Sequence, residues 1–128
     1  MNISNRVAYI GESFTIEWYY DEKGFSQAFD YYSTLSDLQK RKVLLLFKRI
    51  GDYGKINDIT KFRYEGDQIF AFKPKPNRFL SFFVKDKKII ITNAFTKKTN
   101  KLPKKEKAIA IEKRDIYLER NMKGTYYE

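Results

Sequence analysis

Phe14, Ile16, Trp18 and Tyr20 alternate with more polar neighbours, and this period of two predicts a half-buried strand over residues 14–20. Asp21-Glu22-Lys23-Gly24 then reads as a turn. Residues 6–10 form a shorter candidate strand ahead of it, joined through Gly11-Glu12-Ser13. From Ser26 the period changes to that of a helix. Ser26 can cap a short segment through Tyr32, and Ser36-Asp37 a longer one through Ile50 that ends at Gly51 and Gly54. Leu35, Leu38, Val43, Leu46, Phe47 and Ile50 recur at mostly helical spacing with Lys40, Arg41 and Lys48 between them, so two antiparallel helices packed on a sheet are expected.

The second half returns to strands. Phe62–Tyr64, a Glu65-Gly66-Asp67 turn and Gln68–Lys73 precede a break at Lys73-Pro74-Lys75-Pro76, where proline cannot donate ladder hydrogen bonds. Asn77–Val84 and Lys88–Phe95 follow, and Ile89-Ile90-Ile91 argues for a strand covered on both faces. The last three strands should form an antiparallel meander. Pro103 suits the first turn of a final helix, and Ala108–Arg120 is free of Gly and Pro. The fold class expected is therefore α+β: a small antiparallel sheet with two N-terminal helices on it and a C-terminal helix. Residues 1–128 are expected to form a single domain, with 121–128 as a flexible tail.

Charge divides the chain unevenly. Residues 1–60 hold 8 Lys+Arg against 8 Asp+Glu, whereas residues 61–128 hold 18 against 8, so the net +10 lies entirely in the second half. A domain neutral on one side and basic on the other suits a polyanion. The chain has no cysteine and no histidine. That excludes disulfides, thiol nucleophiles and sulfur-ligated zinc, and removes the commonest metal ligand and the commonest general base, so any chemistry runs on Lys, Arg, Tyr and carboxylates, and no cofactor is expected. No charged segment followed by an apolar one opens the chain, and runs such as Val43–Phe47 are too short to span a bilayer. A soluble, cytoplasmic protein with no membrane partner is expected.

Several segments together resemble the RelE/HigB-like toxins of bacterial type II toxin-antitoxin modules, particularly the HigB-type branch that includes phage-derived proteins. They are WYYDEKG (Trp18–Gly24), IFAFK (Ile69–Lys73), NRFLSFF (Asn77–Phe83) and above all NAFTKKTNKLPKKEKAIA (Asn93–Ala110). An aromatic followed by a basic pair, a Thr, and a Pro opening a helix is the most specific of these, and the resemblance covers nearly the whole chain. It implies a RelE-like fold and a metal-independent, ribosome-dependent endoribonuclease that cuts messenger RNA and stops translation. Its partners would be the ribosome, messenger RNA and a cognate antitoxin that can form a hetero-oligomer with it.

The implied reaction is attack of a ribose 2′-hydroxyl on the adjacent phosphorus, which needs a base, an acid and cations around the developing phosphorane. By resemblance, Arg78 matches the strand arginine that grips the scissile phosphate, and Lys98, with Lys97 beside it, matches the basic position after the last strand. Lys73 completes the catalytic candidates. Lys75, Lys97, Phe95, Lys101, Lys104 and Lys105 are the RNA-binding candidates, Phe95 by stacking on a base. Plainer readings stand beside these: Lys97 and Lys98 as a solvated turn, Arg78 in an ion pair with Glu65 or Asp67, Lys73 and Lys75 as edge protection. The RelE branch carries a lysine pair where this chain has Ile69 and Ala71, and a tyrosine where it has Pro103 or Lys104. A catalytically inactive RNA- or protein-binding module on the same scaffold is therefore the alternative.

Overall fold

The computed structural model describes residues 6–128. In chain order the elements are β1 (Val7–Ile10), β2 (Thr15–Trp18), α1 (Gln27–Ser33), α2 (Asp37–Tyr53), β3 (Phe62–Tyr64), β4 (Phe70–Phe72), β5 (Asn77–Val84), β6 (Lys88–Thr96) and α3 (Lys104–Met122). The strands form one six-stranded sheet in the order β1-β2-β6-β5-β4-β3. Helices α1 and α2 cover one face, where Ile16, Trp18, Val43, Phe47, Phe72, Phe79, Ile89 and Ile91 are buried together. Helix α3 covers the other, over Ile69, Leu80, Phe82, Ile90, Ala110 and Tyr117.

This corrects the expected fold class in three respects. The sheet is mixed, because β2 pairs with β6 in parallel, Thr15 opposite Lys88 through Trp18 opposite Ile91. It is also larger, because the β1–β2 hairpin adds two strands to the antiparallel series β3 to β6. The two helices are not N-terminal, since they follow that hairpin. The physical reason lies in β6: Ile89, Ile90 and Ile91 are fully buried, which requires neighbours on both edges as well as cover on both faces. A parallel partner can reach β6 only through a long crossover, and α1 and α2 lie within it.

Both helices start where their caps indicate. Ser26 Oγ accepts the Phe29 N–H, and Ser36 and Gln39 form a reciprocal capping box. Helix α2 nevertheless runs past Gly51 and stops at Gly54, which adopts φ 78°. Gly51 serves packing instead. Its carbonyl accepts the N–H groups of Ser13 and Phe14 at 2.7 and 2.8 Å, and a Cβ on Gly11 would lie 2.2 Å from the Gly51 carbonyl carbon. The β1–β2 turn therefore sits directly on the end of α2.

The β5–β6 ladder contains a bulge. Leu80 pairs with Asn93 and Ser81 with Ile91, leaving Thr92 as the extra residue. The Thr92 hydroxyl donates to Asn93 Oδ1 at 2.6 Å and lies 3.2 Å from the Leu80 carbonyl. Helix α3 docks on the same place: Lys113 Nζ donates to the Thr92 carbonyl at 3.2 Å, and Asn93 Nδ2 donates to Glu106 Oε1 at 3.0 Å.

The last residues fold back, in place of the flexible tail expected over 121–128. Tyr126 is 1% exposed and its hydroxyl accepts the Tyr20 N–H, while Tyr127 donates to Glu17 Oε1 at 2.8 Å. Two large aromatic rings supply enough apolar area to hold so short a segment. No helix among the described residues is long and apolar enough to cross a membrane.

Thr92→Val should keep the volume at the bulge but leave buried acceptors unpaired, lowering unfolding free energy by about 1–3 kcal/mol in denaturant titrations. Burial raises the pKa of Tyr19, Tyr20, Tyr117, Tyr126 and Tyr127. A phenol whose folded pKa is raised stabilises fully below its unfolded value near 10 and loses that contribution above it. Lys73 and Lys113, lowered by burial, act in the opposite direction but are fewer. Stability should therefore fall above about pH 10, by up to about 1.4 kcal/mol per pH unit for each such tyrosine, and Tyr126→Phe should flatten that fall in pH-dependent denaturation.

Candidate functional site

A cleft opens on the α3 face of the sheet, at the end of β6 where the chain leaves for α3. Its walls bring together Glu65, Lys73, Arg78, Phe95, Lys97 and Lys101, with Ala71 at its base. Each arrives by strand geometry. Arg78 pairs with Phe95 across the ladder, and both face α3. The Lys97 N–H bonds the Pro76 carbonyl at 2.8 Å, extending the ladder one residue beyond β6. Two residues after Phe95, Lys97 therefore emerges on the same face.

Lys98 then falls on the other side. It lines a separate cavity of about 470 Å³ with Gln27, Tyr31, Thr96, Pro103 and Glu106. Two of the residues singled out as catalytic, Arg78 and Lys98, are thus not brought to one space. Lys73 does join Arg78, at the end of β4 where its N–H bonds the Lys61 carbonyl. Phe95 borders both spaces. Lys75 lies outside the cleft, on a groove beside α2 that it shares with Lys73. Lys104 and Lys105 are exposed on the first turn of α3 and line none of these spaces.

Arg78 is buried, only 7% exposed. Its Nη1 donates to the Asn77 carbonyl at 2.9 Å, and among the described residues no carboxylate lies within ion-pair distance. Burial lowers its pKa and the charge of Glu65 opposes this. The expected alternative partner, Asp67, is held by Lys107 at 2.9 Å and accepts at its carbonyl from Arg114. Lys107, Lys113 and Arg114 are consequently committed to holding α3 on the sheet.

The ammonium of Lys73 is the perturbed base of the cleft. Burial lowers its pKa most, Arg78, Arg63 and Lys97 add repulsion, and Glu65 opposes them. Its Nζ donates to the Ile59 carbonyl at 3.2 Å. Glu65 is the carboxylate that sequence reasoning passed over as turn or ion-pair material. Its signal was topological: the Glu65 N–H bonds the Ile69 carbonyl, closing the β3–β4 turn that aims it at Lys73 and Arg78. Thr99 also lines the cleft, its hydroxyl donating to the Lys101 carbonyl at 3.1 Å and folding the connection onto itself. The arrangement offers an anion four basic side chains, one of them, Lys73, made less basic by partial burial, and one carboxylate at the rim.

Residues 30–115 match the family described as Phage derived protein Gp49-like (DUF891). No curated protein matches the chain. The match spans the second half of α1, all of α2, the four strands β3 to β6 and most of α3, so the chain belongs to the Gp49-like family, which is related to the RelE/HigB-like toxins. A toxin-like protein of a toxin-antitoxin module has a cognate antitoxin as its implied partner.

The charge balance of the cleft can be read by titrating the Lys73 side chain by NMR. Glu65→Gln removes the opposing charge and should move the Lys73 pKa further down, whereas Lys97→Met removes a repulsion and should move it up. A Lys73 titration indifferent to both changes would mean that the three side chains do not share a space.

Proposed function

We propose that this Gp49-like protein is a metal-independent endoribonuclease that cuts messenger RNA on the ribosome, and that the Arg78 cleft is where it cuts. The observation that carries the reading is the union of Arg78, Lys97 and Lys73 around one opening, with the Lys73 pKa lowered. In that reading, neutral Lys73 takes the proton from a ribose 2′-hydroxyl. The 2′-oxygen then forms a bond to phosphorus as the bond from phosphorus to the 5′-oxygen breaks. A 2′,3′-cyclic phosphate and a free 5′-hydroxyl result, and in this reading the Lys97 ammonium protonates the leaving oxygen.

Arg78 suits the phosphorane, since a guanidinium presents paired donors to two oxygens and a desolvated setting strengthens that bond. Glu65 steadies the cation cluster before RNA arrives. Lys101, Lys104 and Lys105 supply affinity for the phosphate backbone, and Lys98 and Phe95 contact the strand on the other side of the β6 end. A cytoplasmic location follows from the substrate. The non-catalytic reading is favoured by one feature, Ala71 at the base of the cleft, where the RelE branch carries a lysine.

Induced expression in a bacterial cell, with new 5′ ends of messenger RNA mapped, tests this directly. Wild type should arrest growth and cut translated messages. Arg78→Lys and Lys97→Ala should each lower cutting by about 10²–10³-fold while the protein stays folded, the scale expected for one group that stabilises developing charge. A wild-type protein that is expressed, folded and harmless would assign the scaffold to binding alone.

A further inference from the structure

Strand β6 outruns its neighbour. Strand β2 ends with Trp18 opposite Ile91, whereas β6 continues to Thr96, so its last residues have no strand on that edge. Gln27 of α1 stands in for one: its amide donates to the Ala94 carbonyl and accepts the Ala94 N–H, both at 2.8 Å. Beside Gln27 lies the cavity of about 470 Å³ that Lys98 lines, a size within the range of about 300–1,000 Å³ usual for ligand pockets. Its inner polar groups are satisfied, Gln27 by Ala94 and the Tyr31 hydroxyl by Asn77 and Thr96. Two charges remain. Lys98 and Glu106 line the same cavity with opposite sign, yet they are not within ion-pair distance of each other. Glu106 is held in place, because Asn93 Nδ2 donates to its backbone carbonyl at 3.2 Å and to its Oε1 at 3.0 Å. A guest that bridges the two must accept from an ammonium and donate to a carboxylate.

We propose that this cavity is a guanine pocket, and that it takes a guanine of the RNA strand whose phosphate lies in the Arg78 cleft. Guanine is the base whose edge fits both charges. Its ring N–H and neighbouring amino group are adjacent donors for the two oxygens of a carboxylate, and its carbonyl oxygen and five-ring nitrogen are acceptors for an ammonium. Adenine and cytosine each set a ring acceptor beside a single amino group, and uracil sets carbonyls on both sides of its one N–H, so all three turn a lone pair toward Glu106. Phe95 borders both the cavity and the cleft and gives the base a face to stack on. One side of the β6 end thus reads a base while the other holds a phosphate. The tie to the RNA strand, though not the guanine pocket itself, rests on the ribonuclease reading above.

The test titrates the full chain with GMP, IMP, AMP, CMP and UMP and follows backbone amide shifts by NMR. IMP lacks only the amino group of GMP, so the ratio of the two affinities isolates the contact with Glu106. Wild type should bind GMP about tenfold more tightly than each of the other four, with shifts centred on Thr96, Lys98 and Glu106. Glu106→Gln, which keeps an oxygen for Asn93, should bring GMP down to the level of IMP. Lys98→Met should weaken GMP and IMP by the same factor and leave their ratio unchanged, since both bases carry the carbonyl and the five-ring nitrogen. Equal binding of GMP and IMP to wild type, a ratio that survives Glu106→Gln, or shifts centred on Lys73 and Arg78 overturns the proposal. Mapped messenger cut sites separate the two sources of guanine. A guanine required beside the cut by wild type but not by Glu106→Gln places the base in the RNA strand, whereas a GMP preference with no base preference at the cut assigns the cavity to a free guanine nucleotide and overturns the tie to the cleft. A wild type that cuts nothing removes the ribonuclease reading and that tie, and the ratio of GMP to IMP still decides the pocket.

Discussion

Thr92 decides which way the end of β6 faces. Up to Ile91 the strand points Ile89 and Ile91 toward α1 and α2, and Ile90 toward α3. One extra residue reverses that alternation, so that Asn93 and Phe95 face α3 and Ala94 faces α1. A ladder without the bulge would turn Phe95 and Lys97 away from Arg78. The same residue anchors α3 through the Lys113 bond to its carbonyl and, by way of Asn93, the bond to Glu106. The position of the cleft and the seat of the helix beside it therefore depend on a single insertion in the register.

That anchoring divides the basic half of the chain into two populations. Lys107, Lys113 and Arg114 are satisfied by Asp67, the Thr92 carbonyl and the β3–β4 turn, and they draw α3 down over the sheet. Lys97, Lys101, Lys104 and Lys105 have no carboxylate within ion-pair distance among the described residues. Their mutual repulsion is tolerable because they are solvated and screened within about 10 Å at ordinary ionic strength. A phosphate backbone would gain most from this second group, since nothing need be displaced from it except counterions.

Much of the fold could be read along the chain because local chemistry determines it. The caps at Ser26 and Ser36, the proline break before β5 and the triple isoleucine in β6 all act over a few residues. The parallel pairing of β2 with β6 joins positions about 75 residues apart, and no local pattern encodes which edge of β6 the first hairpin will take. Gly51 misled for a similar reason: glycine is read as a helix stop, whereas here it permits contact with Gly11 forty residues earlier. For the site, Arg78, Lys73 and Lys97 were recognisable as candidates. Their separation from Lys98 depended on the bulge and on one further ladder bond, and Glu65 entered only through the turn that aims it.

Without histidine, a base must come from a carboxylate or from a lysine made less basic by its surroundings, and among the described residues two lysines, Lys73 and Lys113, are shifted that way. Lys113 is the more deeply buried, but it lies in the seam between α3 and the sheet, 5.8 Å from the Tyr19 ring centroid and bonded to a backbone carbonyl. Neutralising it would weaken the bond to Thr92 on which the register and the helix rest. Lys73 opens on the cleft, and the neighbours that lower its pKa, Arg78 and Lys97, are the groups that would hold a phosphate. An incoming anion would partly cancel their repulsion and raise that pKa again. Proton removal is therefore easiest before the phosphate is fully seated, and Glu65 works against it throughout. The balance between these charges, more than the number of cations, sets whether such a cleft cuts or only holds.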